Sequence, residues 1–350
     1  MYPLLGKYFS LIQKVIPSKT EGVSVGLDIG TGDCKLVQVQ GSLDGCVLKY
    51  WAVESIENGD TVGTIRRMFE KLSIPCEVVY TSVFGKGTLI RYINMPKMPL
   101  EDLRNSFAIE ADKYFPFSKE QIYTDCYILD EEIKGSQMPV MAAATKKELI
   151  DARVKLMTEL GFHPGFIGIN AVALANVVNV LKLNEKKDDD MSIAFLDMGE
   201  SISNLTIMIN NLPWFTRDIF SGGQEFTKRL SNTLEISLDE AEEIKRNPGD
   251  KKQEVLNICE SAVANMVREL RLSFDYFSTE RNQEISTLYL TGGGSMLDGI
   301  VEIFEKNLDV CVTQWKPFDA LKFSSEIDVE LLKQKAPKLG VALGLALYSL

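Results

Sequence analysis

Histidine is nearly absent from this sequence, since His163 is the only one among 350 residues. A single imidazole disfavours catalysis of the Ser–His–Asp type, which needs a histidine as its base. The six cysteines are scattered, and no two of them form a Cys-x-x-Cys pair. Neither a zinc site nor a dithiol redox motif is therefore predicted, and reduced thiols in a cytosolic protein are the simplest interpretation.

Positive charge and long apolar runs are also scarce. The chain has 38 Lys and Arg residues against 49 Asp and Glu residues, a net charge of −11. A general nucleic-acid-binding protein needs a basic surface, so no nucleic-acid partner is expected. No apolar run reaches the ~18–20 residues that a membrane-spanning helix requires. Association with a membrane is therefore expected mainly through partners.

The chain is long enough, and at 45% hydrophobic residues apolar enough, for two globular lobes. Residues 1–21 have apolar side chains at helical spacing and are predicted to form an amphipathic segment. Whether this segment docks on the protein, on a partner or on a membrane surface stays open. The charged stretch 184–190 is the predicted link between the lobes.

A glycine-containing turn lies between two apolar, β-rich runs in residues 23–39. The turn combines an acid, a hydroxyl, a lysine and two glycines, namely Asp28, Thr31, Lys35, Gly30 and Gly32. The glycines let a ligand approach the backbone closely, and the successive N–H groups of such a turn bind anions. The carboxylate suits a hydrated Mg²⁺, and the lysine suits a phosphate. An ordinary surface hairpin is the alternative.

The pattern of this turn occurs a second time, at residues 197–205. Asp197 matches Asp28 and Gly199 matches Gly30, and Ser201 and Ser203 supply hydroxyl groups. Both turns follow one apolar strand and precede another. Two such hairpins, one in each half of the chain, predict duplicated α/β lobes whose turns face each other across a cleft.

A glycine pair, Gly222 and Gly223, comes before a predicted helix in the second half. The next helix places Glu242 and Lys245 three residues apart, so that both lie on one face. The alternative is that Glu242 and Lys245 form an exposed ion pair that contributes little to the stability of the fold.

A predicted strand ends at Thr291 in three glycines and a serine, Gly292, Gly293, Gly294 and Ser295. A helix is predicted to start at about Met296, so the glycines would lie at a helix N-terminus. Such a corner lets the backbone lie against a flat or charged ligand.

In chain order, five segments resemble the actin-like ATPase superfamily: 28–35, 168–174, 197–203, the glycine pair with Glu242 and Lys245, and 291–295. Residues 87–161 read as a βαββα unit and resemble the inserted subdomain of the FtsA family. The segments 95–99, 109–117 and 340–347 resemble the PilM family of type IV pilus assembly proteins more closely.

The resemblance implies an α/β fold with two actin-like (ribonuclease H-like) lobes around a nucleotide cleft. The first lobe would comprise 22–86 and 162–187, the insert 87–161, and the second lobe 188–350. Residues of about 230–285 would form a smaller helical subdomain of the second lobe.

The implied ligands are ATP and Mg²⁺. Asp28 and Asp197 would hold the metal, partly through water, and the glycine turns with Lys35, Ser201 and Ser203 would hold the phosphates. The residues for the nucleoside would be Gly222, Gly223, Glu242, Lys245, Gly292, Gly293, Gly294 and Ser295. Asn170 takes the position of the residue that orients water in actin, where it is one methylene shorter than glutamine. At most a weak ATPase is therefore expected.

The implied partner is the cytoplasmic N-terminal peptide of PilN, bound at the insert. Other inner-membrane platform proteins of the pilus are further implied partners, and self-association stays open. The expected location is cytoplasmic and peripheral to the inner membrane. Two alternatives remain: an FtsA- or MreB-like filament-forming protein, and a small-molecule kinase of the same superfamily.

Overall fold

A computed structural model describes residues 22–42, 45–72, 75–130, 135–181 and 192–349. The predictions for 1–21 and for the link at 184–190 lie outside the described residues. The strands in chain order are β1 (Val23–Ile29), β2 (Asp33–Ser42), β3 (Gly45–Ser55), β4 (Val78–Val83), β5 (Thr88–Pro96), β6 (Ile122–Ile128), β7 (Gln137–Lys146), β8 (His163–Ile169), β9 (Ser192–Met198), β10 (Ser203–Ile209), β11 (Leu212–Ile219), β12 (Ile285–Thr291), β13 (Cys311–Gln314) and β14 (Lys322–Phe323).

Helices cover these strands on several faces. They are α1 (Thr61–Glu70), α2 (Leu100–Glu110), α3 (Lys147–Glu159), α4 (Asn170–Val180), α5 (Gly223–Leu234), α6 (Leu238–Arg246), α7 (Lys252–Arg281), α8 (Ile300–Asn307), α9 (Val329–Lys335) and α10 (Gly340–Ala346).

The first lobe is built on a sheet with the strand order β14-β3-β2-β1-β4-β8. Strands β1, β2 and β3 form an antiparallel meander, and β4 lies parallel to β1. The apolar stripe of α1 buries Ile65 and Met68 on this sheet, and the Asp60 side chain caps the helix by accepting from the Gly63 N–H. The predicted hairpin at residues 23–39 is therefore the β1–β2 hairpin at the centre of the lobe.

The second lobe has a sheet of order β11-β10-β9-β12-β13. The repeated hairpin is β9–β10, in which Asp197 lies opposite Asn204. Helices α5 to α8 pack on one face of this sheet around a large apolar core. A capping box begins α6, because the side chains of Ser237 and Glu240 each accept a hydrogen bond from the other's backbone N–H.

The insert is a three-stranded sheet of order β5-β7-β6 with α2 packed against it. Leu103 and Phe107 face the sheet from α2, and Pro99 precedes the first helical residue, where a missing N–H costs least. Helix α3 was assigned to this unit from the sequence, but its Met157 is buried in the core of the first lobe. The Arg153 guanidinium also donates to Thr81 of β4, at 2.8 Å.

The C-terminal residues return to the first lobe, which corrects the range 188–350 predicted for the second lobe. Strand β14 pairs with β3 in the first sheet. Helix α10 is buried along its whole length between the first-lobe strands and α4. A Cβ on Gly26 of β1 would overlap the carbonyl oxygen of Ala342 in this helix. The lobes therefore share a packed helical layer and not only a link.

Candidate functional site

A cleft with a volume of about 1200 Å³ separates the two lobes. Both repeated turns contribute to its walls, as do the triple glycine and the N-terminus of α4. The predicted site residues that line it are Asp28, Gly30, Thr31, Gly32, Lys35, Asn170, Asp197, Gly199, Ser201, Gly223, Glu242, Lys245, Gly292, Gly293 and Gly294. The structure therefore brings residues from distant parts of the chain to one cavity.

The first turn presents a charged pair to the cleft. Asp28 and Lys35 are opposite each other in the β1–β2 ladder, and their side chains form an ion pair at 3.2 Å. Burial lowers the pKa of Lys35, but the carboxylates of Asp28, Asp33 and Asp197 raise it by more. A Cβ on Gly30 would lie 2.6 Å from the Lys35 ammonium nitrogen, so a side chain at this position would displace the lysine from its present place.

Asp197, at the end of β9, faces this pair from the second lobe. Burial and the nearby Asp28 carboxylate raise the pKa of Asp197 to about 7, although Lys35 acts in the opposite direction. Two carboxylates that repel each other in a buried site would be relieved by a divalent cation. The donor set therefore fits the predicted Mg²⁺ ligands.

The raised pKa of Asp197 makes stability depend on pH. The folded chain keeps a proton on this carboxyl up to about pH 7, whereas the unfolded chain loses it near the ordinary value of 3.8. The free energy of unfolding should therefore fall as the pH rises between these values. Urea unfolding at several pH values checks this, and Asp197→Asn should remove this part of the slope. The exposed Asp298→Asn variant is the control and should keep it.

Gly292 is part of the cleft wall beside Asp197. Its φ of +82° lies in the region that favours glycine, and a Cβ would lie 2.5 Å from an Asp197 carboxylate oxygen. The Gly292 N–H donates to the Pro337 carbonyl at 2.7 Å. A 3₁₀ turn spans Gly293–Met296, and α8 begins only at Ile300, later than the sequence predicted. The glycines therefore approach the cleft from a tight turn and not from a helix N-terminus.

Glu242 and Lys245 form an ion pair at 2.6 Å on the cleft wall. The Lys245 ammonium also donates to the Thr227 hydroxyl at 2.8 Å and to the Gly223 carbonyl at 3.1 Å. These bonds tie α6 to α5 and restrict the lysine. The pair is thus a structural part of the wall as well as a charged surface of the cleft.

Three of the predicted site residues do not line the cleft. The Ser203 hydroxyl is buried and donates to the Ser221 carbonyl at 2.7 Å. The Ser295 hydroxyl donates to the Gly292 carbonyl at 2.8 Å, and is likewise buried. Gly222 packs against the carbonyl oxygens of Gly199 and Glu200, so no side chain fits there. These residues therefore support the backbone of the turns. The two hydroxyl groups are already hydrogen-bonded within the fold and do not face the cleft.

Lys338 is a cleft residue that sequence reasoning missed. Its ammonium pairs with Asp33 of the first lobe at 2.5 Å, and its side chain passes close to Gly293 of the second. Lys338 lies in a short turn between α9 and α10, and no phosphate-binding pattern in the neighbouring residues marks it as a cleft residue. Only the return of the C-terminal segment to the cleft places this charge there.

Asn170 is the first residue of α4 and lines the cleft. Its amide oxygen is buried, and no other described residue donates to it. An unpaired polar atom in a cavity wall is available to a ligand or to water.

Comparison with known proteins decides the family. The profile of "Type IV pilus assembly protein PilM" matches residues 26–350. The chain belongs to the PilM family. The match covers both lobes and the insert, so the whole described fold is the fold of this family. The predicted actin-like α/β class and the predicted family resemblance are both confirmed.

Solved structures agree with this assignment. A structure described as the "PilM-PilN type IV pilus biogenesis complex" is 26% identical, with a TM-score of 0.83 over 93% of this chain and 97% of that chain. The ethanolamine utilization protein EutJ from Carboxydothermus hydrogenoformans is 14% identical, with a TM-score of 0.57 over 96% of this chain and 93% of that one. The latter likeness shows the fold alone.

Curated relatives include two cell division proteins named FtsA. The protein from Neisseria meningitidis is 28% identical over 282 residues, which are 68% of this chain and 64% of that protein. The protein from Borreliella burgdorferi is 22% identical over 227 residues, 56% of this chain and 50% of that protein. The chain therefore spans between half and two thirds of the length of these relatives.

Across the part of the chain that the structure describes, no helix is long and apolar enough to cross a membrane.

Proposed function

We propose that this PilM-family chain is a nucleotide-binding platform protein that holds the cytoplasmic N-terminal peptide of PilN during type IV pilus assembly. The observation that carries the proposal is the likeness to the PilM–PilN complex, which extends over 93% of the chain and includes the insert. The cleft and the insert are two separate binding regions, so a nucleotide in the cleft and a peptide at the insert can be bound at the same time.

ATP with Mg²⁺ is the proposed ligand of the cleft. The actin-like fold typically binds an adenine nucleotide. Gly30, Gly32 and Gly199 line the cleft and have no side chains of their own, so a polyphosphate can approach the backbone there. Asp28 and Asp197 would hold the metal, and Lys35 and Lys338 would add positive charge beside the phosphates.

The proposed role of the nucleotide is that of a switch or a structural ligand, with slow turnover or none. In-line attack on a phosphate needs a side chain that orients water. Asn170 is the amide side chain at the N-terminus of α4 that would take this role, and it is one methylene shorter than glutamine. A displacement of about 1 Å at such a position can cost on the order of 100-fold in rate.

The insert offers a surface that suits an extended apolar peptide. A recess of about 380 Å³ lies where β5 leads into α2, and it is lined by Lys97, Met98, Pro99, Leu100, Ile128 and Met138. Strand β6, at one end of the insert's strand order, contributes Ile128 to this recess. A peptide that pairs with an edge strand and places apolar side chains in a recess is a common recognition mode.

Binding of a PilN peptide would keep this chain at the cytoplasmic face of the inner membrane. The chain then needs no membrane-spanning helix of its own for that location, and other platform proteins of the pilus would be its neighbours. Both statements rest on the peptide being bound at the insert.

Introducing a charge into the recess tests the partner proposal. Glutamate at position 98 would place an anion among the apolar side chains that meet the peptide, and we expect Met98→Glu to weaken binding of a synthetic PilN N-terminal peptide by at least about tenfold. Fluorescence polarisation with a labelled peptide measures this.

Leu331→Glu is the matched control, because Leu331 is an exposed leucine, 45% accessible, on α9 and outside the insert. This variant should bind the peptide as the unmodified chain does. Equal binding by Met98→Glu would exclude the recess, and failure of the unmodified chain to bind any PilN peptide would exclude the partner.

A further inference from the structure

The two glycine turns contact each other directly across the cleft. The Thr31 hydroxyl of the first turn donates to a carboxylate oxygen of Glu200 in the second turn, at 2.6 Å. The two residues are 169 positions apart, so this hydrogen bond joins the two lobes across the cleft. Both residues line the cleft.

The Glu200 carboxylate also lies against the backbone of the first turn. A Cβ on Gly32 would be 2.7 Å from one carboxylate oxygen and 3.2 Å from the other. Both oxygens therefore face the glycine that opens this turn to an anion. A hydroxyl donor and an uncovered backbone are the features that a phosphate would use, and here a carboxylate already uses them.

The backbone behind Glu200 is held in place. The Glu200 carbonyl accepts from the Gln224 N–H at 2.8 Å, and the Gly199 carbonyl accepts from the Gly223 N–H at 2.9 Å. Gly222 packs against both carbonyl oxygens. The N-terminus of α5 thus fixes the backbone of the second turn, while the Glu200 side chain is exposed and is held by Thr31. Displacing the carboxylate requires a rotamer change and no rearrangement of the turn.

We propose that Glu200 acts as an internal anion that competes with the phosphates of a nucleotide for Thr31 and Gly32, and that it selects against the nucleotide with more phosphate charge. The inference rests on the proposed nucleotide site and adds a residue that sets its affinity. A bound polyphosphate must turn the carboxylate away and then remain near its negative charge. Each additional phosphate increases that repulsion, so a triphosphate is disfavoured more than a diphosphate.

Isothermal titration calorimetry with Mg·ATP and Mg·ADP tests this on the full chain. Glu200→Gln keeps the size of the side chain and its ability to accept from Thr31 but removes the charge. We expect Mg·ATP to bind about tenfold more tightly to this variant, and Mg·ADP to gain less, because like charges a few ångströms apart in a partly solvated cleft repel on that scale.

Glu225→Gln is the control, since Glu225 carries the same charge on α5 but does not line the cleft. It should leave both affinities unchanged, and matching thermal unfolding curves show that both variants are folded. Unchanged or weaker Mg·ATP binding by Glu200→Gln, or an equal gain for both nucleotides, would overturn the competition while leaving the nucleotide site intact. If neither the unmodified chain nor Glu200→Gln binds either nucleotide, the proposed nucleotide site is wrong and the competition is rejected with it.

Discussion

Replacing Asp28 with alanine is expected to remove Mg²⁺-dependent ATP binding almost completely. Asp28 is buried, pairs with Lys35 at 3.2 Å and faces Asp197, so its loss removes one proposed metal ligand and the carboxylate that pairs with the lysine. Truncating one partner of a buried charge pair at a binding site costs about 2–5 kcal/mol of binding free energy, so a loss of affinity of roughly 100-fold is expected. Calorimetry with ATP in the presence and absence of Mg²⁺ measures the change.

Two further variants make this result specific. Asp28→Asn preserves the shape of the side chain and should also lose most Mg²⁺-dependent binding, which separates charge from packing. Asp298→Asn removes an exposed carboxylate that pairs with Lys252 on the surface, and it should bind as the unmodified chain does. Unchanged affinity in Asp28→Ala would place the nucleotide elsewhere.

Rapid phosphate release by the unmodified chain in a single-turnover assay would show that Asn170 supports hydrolysis.

Replacing Gly344 with alanine is expected to cause a large loss of stability. Gly344 is buried in α10, where a Cβ would overlap the carbonyl oxygen of Ala173 in α4. Alanine favours a helix over glycine by about 1 kcal/mol, but backbone overlap in a packed core costs about 3 kcal/mol or more. The clash should dominate because α10 cannot retreat, since Gly26 of β1 already contacts its opposite side. Urea unfolding measures the loss.

Gly340→Ala is the matched control in the same helix. A Cβ at this position would lie 2.9 Å from a Trp315 ring atom and 3.0 Å from a Leu174 methyl carbon. Side chains can rotate away where a backbone carbonyl cannot, so the loss should be clearly smaller than for Gly344→Ala. Equal stability of Gly344→Ala and the unmodified chain would mean that the two helices are further apart than the structure shows.

Because α10 lies against β1, which carries Asp28, a shifted α10 should also weaken nucleotide binding.

The local sequence was sufficient to predict the two hairpin turns and the fold class. Apolar runs around Asp28 and Asp197 indicated strands, and the glycines between them indicated turns, because both signals depend on residues close together in the chain. The recurrence of the pattern then predicted two lobes. The order of five motifs predicted the actin-like class, and the segments 95–99, 109–117 and 340–347 predicted the family by resemblance; both predictions are confirmed. The capping box at Ser237 was equally local, and α6 begins there.

Contacts between distant parts of the chain were decided only by the tertiary structure. The pattern of the insert indicated α3 as a helix but could not show which sheet it would cover, and the resemblance at 340–347 did not show where α10 would pack, so the boundaries of the insert and the second lobe were misplaced. Lys338 reaches Asp33 only because the C-terminal segment returns to the cleft, and Glu200 reaches Thr31 only because the turns of the two lobes face each other. Local propensity and hydrophobic pattern determine which elements form, whereas the pairing of their surfaces depends on packing over the whole chain. The amino-acid pattern therefore identified the turns that form the cleft, and the fold decided which charges face each other within it.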